Sequence, residues 1–106
     1  MGTIKSTDET FDSIVKENKI VLTDFWASWC GPCVTLAPIL EQLSDELKDK
    51  GLVIAKHNID EEPNLPVKFS VRGIPTMTLH VDSQHKATKV GLSTKSDLKS
   101  WIEQNI

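Results

Sequence analysis

An almost unbroken apolar run, Ile20-Val21-Leu22-Thr23-Asp24-Phe25-Trp26-Ala27, constrains the fold of this chain most. It has the pattern of a strand covered on both faces, interrupted only by Asp24. Downstream, Leu36, Leu40, Leu43 and Leu47 step by four, three and four. That stripe predicts a long amphipathic helix from Cys33 to about Lys48. Leu52 to Asn58 then reads as a second interior strand. Strand, helix, strand in that order implies a parallel pair joined by a right-handed crossover. The class is therefore α/β, with a sheet that is at least partly parallel.

The remaining segments fill in around this unit. Ser6 and Glu9 have capping-box spacing and Phe11, Ile14 and Val15 recur at helical intervals, which predicts a first helix from about Thr7 to Glu17. Pro32 suits a helix start, whereas Pro38 lies inside the long helix, removes a backbone donor and predicts a kink. Leu65 and Phe69 suggest a short helix within Asn64 to Ser70. Pro75 opens a third strand, in which Met77, Leu79 and Val81 alternate with Thr76, Thr78 and His80. A further run, Ala87 to Gly91, follows across Asp82 to Lys86 and completes an antiparallel hairpin. Thr94 and Asp97 have capping spacing ahead of a last helix marked by Leu98, Trp101 and Ile102. The predicted order is αβαβαββα, with an optional short strand near Thr3 to Lys5 in front.

Composition narrows the function classes. The chain has 106 residues, 39% hydrophobic and 25% charged, which predicts one globular domain over residues 1–106 and excludes a disordered, collagenous or membrane-spanning chain. Twelve Lys plus Arg stand against fifteen Asp plus Glu, intermixed, for a net charge of −3. Nucleic-acid binders concentrate positive charge, so no nucleic-acid partner is expected. The first twenty residues hold no apolar run of signal or anchor length, so the expectation is a cytoplasmic monomer with no membrane contact.

The two cysteines lie three apart in Trp29-Cys30-Gly31-Pro32-Cys33, between the buried strand and the long helix. Helix N-terminal N–H groups and the macrodipole favour an anion, so Cys30 should have a stabilised thiolate and act as nucleophile. Cys33, one turn further in, should be more buried and suits the resolving role. Two thiols so placed can close into a disulfide with little backbone movement. A zinc half-site is the competing reading, with His57, His80, His85 or carboxylates as the missing ligands. A structural disulfide is another, but so short a loop constrains the unfolded chain weakly.

Around this pair the chain resembles the thioredoxin family, of the bacterial type. Asp24 to Cys33 resembles the family's active-site signature, and Ala37-Pro38-Ile39-Leu40 continues it. Asn58-Ile59-Asp60, Arg72-Gly73-Ile74-Pro75-Thr76 and Lys89-Val90-Gly91 match further landmarks in order. The resemblance implies a thioredoxin fold, a central mixed sheet of four or five strands flanked by helices on both faces. It also implies reduction of disulfide-containing protein substrates with no bound cofactor, electrons arriving from NADPH through a thioredoxin reductase. Other readings are a disulfide oxidase or isomerase, or a non-catalytic binding module using the apolar rim around the dithiol.

By the same resemblance, Pro75 is a cis proline beside the dithiol; the plainer reading is a strand start. Trp29, Gly31, Pro32, Gly73, Ile74, Pro75, Val90 and Gly91 converge as an apolar substrate-binding rim, which Leu92 touches. Asp24 needs a partner inside an apolar strand, and Lys56 on the second strand is the candidate. The family pattern places both behind the dithiol. Proton exchange between Asp24 and Cys33 is the functional reading, and an ion pair with Lys56 the structural one. Trp26 serves core packing as readily as catalysis; Trp101 and Met77 read as core. The three histidines are scattered and none is assigned a catalytic role. Val34, Leu92 and the Asp82-Ser83 turn depart from the common family pattern and bear on partner choice.

Overall fold

The computed structural model describes residues 2–106; residue 1, part of the predicted domain, lies outside the described residues. The elements are β1 (Ile4–Ser6), α1 (Phe11–Glu17), β2 (Ile20–Trp26), α2 (Gly31–Leu47), a 3₁₀ turn (Lys48–Lys50), β3 (Leu52–Asn58), α3 (Asn64–Lys68), β4 (Thr76–Val81), β5 (Gln84–Val90) and α4 (Lys95–Gln104). The five strands form one mixed sheet in the order β1-β3-β2-β4-β5. β3 lies parallel to both β1 and β2, and β4 lies antiparallel to β2 and β5. The fold class is as the sequence implied, with the optional first strand present.

Helices cover both faces because β2 and β3 carry apolar side chains on both. Leu36, Leu40 and Leu43 of α2, with Leu98 and Ile102 of α4, pack on Leu22, Ile54, Met77 and Leu79. Each of those leucines contributes about 2 kcal/mol by leaving water. On the other face Phe11 and Val15 of α1 and Leu65 of α3 pack on Val21, Phe25 and Ala55. This second layer also explains β4: its alternating Thr76, Thr78 and His80 are buried too, not solvated. α2 runs through Pro38 without interruption. Met77 is fully buried, whereas Trp101 is only partly buried at the edge of the α2–α4 layer.

Three local expectations need correction. The first helix starts at Phe11, not near Thr7, and Ser6 does not cap it. Ser6 is the last residue of β1, with its hydroxyl 3.0 Å from His57 Nδ1. Thr7 and Thr10 instead close a turn, each backbone N–H donating to the other's hydroxyl at 3.0 Å. The hairpin connection is two residues, Asp82 and Ser83, at φ 50° and 68°. That pair of positive φ values matches the twist of the flanking strands, so β5 begins at Gln84, earlier than expected. Finally, the histidines are not scattered once folded. His80 and His85 stack across the hairpin. His57 is fully buried, with Nε2 3.1 Å from Asp8 Oδ1.

Asp8, in the turn between β1 and α1, joins β3 to α3. Its carboxylate accepts from His57 of β3 and from the backbone N–H groups of Asn64 and Leu65 at the start of α3, the latter two at 3.0 and 2.8 Å. Burial raises the carboxyl, but these donors outweigh it and hold it below the usual range.

Candidate active site

β2 delivers the chain to Ala27, and Cys30 becomes the residue that caps α2, in an extended conformation. Its sulfur accepts from the Cys33 backbone N–H at 3.2 Å. The first turn of α2 carries no acidic residue, so nothing on it opposes the positive end of the helix dipole. Cys30 and Cys33 are joined as a disulfide with Cα atoms 5.2 Å apart. Cys30 is 6% exposed and Cys33 1%. The order matches the expected asymmetry, though both sulfurs sit below the surface.

The second wall comes from the chain ahead of β4. The Ile74–Pro75 bond is cis, and the Ile74 carbonyl oxygen lies 3.8 Å from Cys30 Sγ. Thr76 Oγ1 donates to the Gly73 carbonyl at 2.5 Å, closing the turn beneath it. Gly91, at φ 94°, donates its N–H to the Pro75 carbonyl at 2.8 Å. That contact brings the end of β5, with Val90 and Leu92, to the same end of the sheet. A side chain at Gly91 would strain this backbone.

Trp29 stands out into solvent, 68% exposed, and its Nε1 donates to Asp60 Oδ2 at 2.8 Å. Asp60 is held in turn by its N–H on Asn58 Oδ1 at 2.9 Å. The sequence assigns Asp60 no role of its own. An Asn at a strand end followed by an Asp is a turn signal, but its distant target is not readable. Between Trp29, Ile59, Pro66, Val71, Gly73 and Ile74 lies an apolar groove of about 330 Å³, with Arg72 at its rim. Gly31 and Pro32 form the first turn of α2, away from that lining. Val34, Val90 and Leu92 are exposed apolar side chains.

Asp24 is fully buried, and neither of its carboxylate oxygens has a hydrogen-bond partner. Burial pushes its carboxyl up to about 7, with the Lys56 charge pulling the other way. The ion pair expected with Lys56 is not formed. Asp24 and Lys56 are register partners in β2 and β3, yet the ammonium sits 4.4 Å above the Trp26 ring. Cation–π attraction at a partly solvated site competes with a buried carboxylate that must first ionise. Trp26 packs against the Cys30–Cys33 cluster, and with Lys56 it lines a second cavity of about 370 Å³ that also touches Lys5 and Glu61.

A dithiol at a helix start, a buried acid on the strand that leads to it and an apolar groove beside it suit exchange of disulfides with a protein substrate. A model of the family described as thioredoxin matches residues 2–104. The chain is similar to the thioredoxin of Acidithiobacillus ferridurans, 46% identical over 101 residues, covering 94% of this chain and 93% of the relative. It is 48% identical over 101 residues to that of Rickettsia felis, covering 94% and 95%. Among solved structures, a mutant thioredoxin from Halobacterium salinarum NRC-1 superposes with a TM-score of 0.91 at 34% identity, covering 98% of this chain and 90% of that one.

Proposed function

The chain belongs to the thioredoxin family, and from that premise we propose how its residues carry out the exchange. It is a thiol–disulfide oxidoreductase. The observation that carries the assignment of roles is the placement of Cys30 and Cys33 across the first turn of α2, with the Cys30 sulfur accepting from the Cys33 backbone N–H.

In the reduced protein the Cys30 thiolate attacks one sulfur of a substrate disulfide. The substrate S–S bond breaks, its leaving sulfur takes a proton, and a mixed disulfide forms at Cys30. Cys33 then passes its proton towards Asp24 and attacks Cys30 Sγ. The Cys30–Cys33 bond forms, the mixed disulfide breaks, and the substrate leaves with both electrons. Both electrons are carried by the two sulfurs, so the step requires no bound cofactor. A carboxyl near neutral pH is matched to accept a thiol proton, and Lys56 modulates it through its charge rather than by contact.

Trp29, Gly31, Pro32, Gly73, Ile74 and Pro75, with Val90, Gly91 and Leu92 joined to them through the Gly91–Pro75 hydrogen bond, form the substrate surface. Open space at Gly31, Gly73 and Gly91 leaves room for a partner backbone to approach. The oxidised protein is re-reduced by a thioredoxin reductase drawing on NADPH, and the protein works as a one-domain monomer in the cytoplasm. No described helix is long and apolar enough to cross a membrane. The test is an NADPH-coupled assay with a thioredoxin reductase and a protein disulfide. Sustained NADPH oxidation is the expected result, and none with any reductase would remove this reading.

A further inference from the structure

Four aromatic rings from separate parts of the chain meet on the sheet face opposite Asp24: Phe11 of α1, Phe69 just past α3, His80 of β4 and His85 of β5. The two imidazoles stack, with centroids 5.1 Å apart and planes 16° from parallel. Phe69 meets both of them edge to face, at 5.6 Å and 5.3 Å. Phe11 closes the cluster at 5.4 Å from His80 and 5.5 Å from Phe69.

A β-bulge builds the stack. Leu79 pairs with Ala87, so an even ladder would pair His80 with Lys86; the register shifts and His80 pairs with His85. The extra residue turns His85 onto the face that holds His80. His80 is 5% exposed and its Nδ1 has no hydrogen-bond partner, whereas His85 is exposed, with Nε2 2.8 Å from Thr88 Oγ1.

This arrangement resists a second proton. Burial, and then the charge on His85, push His80 down to about 4. His85 is the titratable group that β5 brings against it. α1 presents Phe11, the segment after α3 presents Phe69, and β2 places Val21 opposite in register. The charged neighbours there, Asp12, Lys16 and Glu17 of α1, Lys68 at the end of α3, and Asp82 and Lys86 of the hairpin, are all exposed. A charge on His80 would thus sit among phenyl rings beside a second imidazolium, with no acceptor at Nδ1.

Phe69 begins the segment that runs through Val71 and Gly73, which line the groove, to Ile74, whose carbonyl faces Cys30. Whatever holds Phe69 holds that wall. We propose that the His80–His85 stack is an acid-sensitive latch on residues 69–75. Neutral, it clamps Phe69 and keeps the groove formed; protonated, it splits, frees Phe69 and weakens capture of protein disulfides. The regulatory part of this inference rests on the reductase reading above.

The experiment compares wild type with His80→Phe, which keeps the ring and removes the proton site. Reduction of insulin and of a small aromatic disulfide is followed from about pH 7.5 to about pH 4.5. Taking the wild-type to variant ratio cancels the titration of the cysteines and of Asp24, which both proteins share. For insulin the ratio should be level near neutrality and fall by roughly a quarter at about pH 4.5, where a group titrating at about 4 is about one-quarter protonated. For the small disulfide it should stay level. A flat insulin ratio, or an equal fall for both substrates, overturns the latch. Should His80→Phe not fold, His85→Gln replaces it; with the His85 charge gone His80 takes its proton more readily, so the acid limb should move to higher pH, and an unmoved limb overturns the proposal. Phe69 ring resonances provide a readout without turnover: they should shift together with the His80 proton signal, and constancy of Phe69 while His80 titrates overturns the latch. Wild type that reduces nothing at neutral pH removes the reductase reading, whereas normal reduction with a flat ratio removes the latch alone.

Discussion

Asp24 and Lys56 stand side by side on paired strands, yet the lysine ammonium rests over Trp26 and the aspartate oxygens have no hydrogen-bond partner. Proximity in register does not make an ion pair when one group is sealed in the sheet and the other reaches a wet edge. The site therefore stores an acid whose ionisation the fold opposes, and this gives the first prediction. Asp24 has a folded pKa of about 7 against an ordinary value of 3.8. The folded state thus holds the proton more tightly, and its stability falls as pH rises from about 4 to about 7. Asp24→Asn should remove that loss, on the order of 4 kcal/mol at neutral pH. It should also slow the resolving step, which loses its proton acceptor. Denaturant melts at two pH values and single-turnover rates check both; a variant no more stable at neutral pH and equally fast would refute the role.

Cys30→Ser should abolish disulfide reduction, because no thiolate remains at the helix start. Cys33→Ser should still attack and then accumulate a mixed disulfide that cannot resolve. Mass spectrometry of the trapped adduct reads this directly. Faster alkylation of Cys33 than Cys30 in the reduced protein at neutral pH would reverse the two roles.

Leu92 is 48% exposed and follows the glycine that is tied to Pro75. Leu92→Ala should lower kcat/KM for protein disulfides by about fivefold, the effect of losing roughly 1 kcal/mol of interface contact. Reaction with a small disulfide should stay within error. Equal losses on both would place Leu92 in the chemistry or in stability rather than in partner contact.

Asp8→Ala should cost about 1 to 3 kcal/mol of stability, since it removes the acceptor for the first N–H groups of α3 and leaves His57 Nε2 with the Glu62 carbonyl alone. Its carboxyl is held low in the folded state, so wild type carries this contribution above the ordinary carboxylate range and loses it as pH falls through the folded value. Melts of wild type and variant should converge in strong acid. A constant gap at every pH would show that the charge is irrelevant there.

The elements that carry the dithiol are legible in the sequence, because each is written in a local period. β2 is a nearly continuous apolar run observed at Ile20–Trp26, β3 opens on the apolar run Leu52 to Ala55 within Leu52–Asn58, and α2 is a leucine stripe preceded by Pro32. Thr94 caps α4 through Asp97 as its spacing indicates. The same local rule misleads at Ser6 and Glu9, whose capping spacing is genuine but whose serine hydroxyl goes to His57, a partner 51 residues away.

Tertiary structure decided everything that depends on a distant neighbour. Among these are the Trp29–Asp60 bond, the bulge that turns His85 onto His80 and the burial of polar Thr76, Thr78 and His80 within the sheet. Most telling is Asp24, for which the sequence offers both proton exchange with Cys33 and an ion pair with Lys56, and whose oxygens are left without a hydrogen-bond partner in the folded sheet. Backbone periodicity is set by a few consecutive residues. The partner of a polar side chain is chosen by competition among desolvation, charge and ring contacts, and that competition exists only after the sheet has closed.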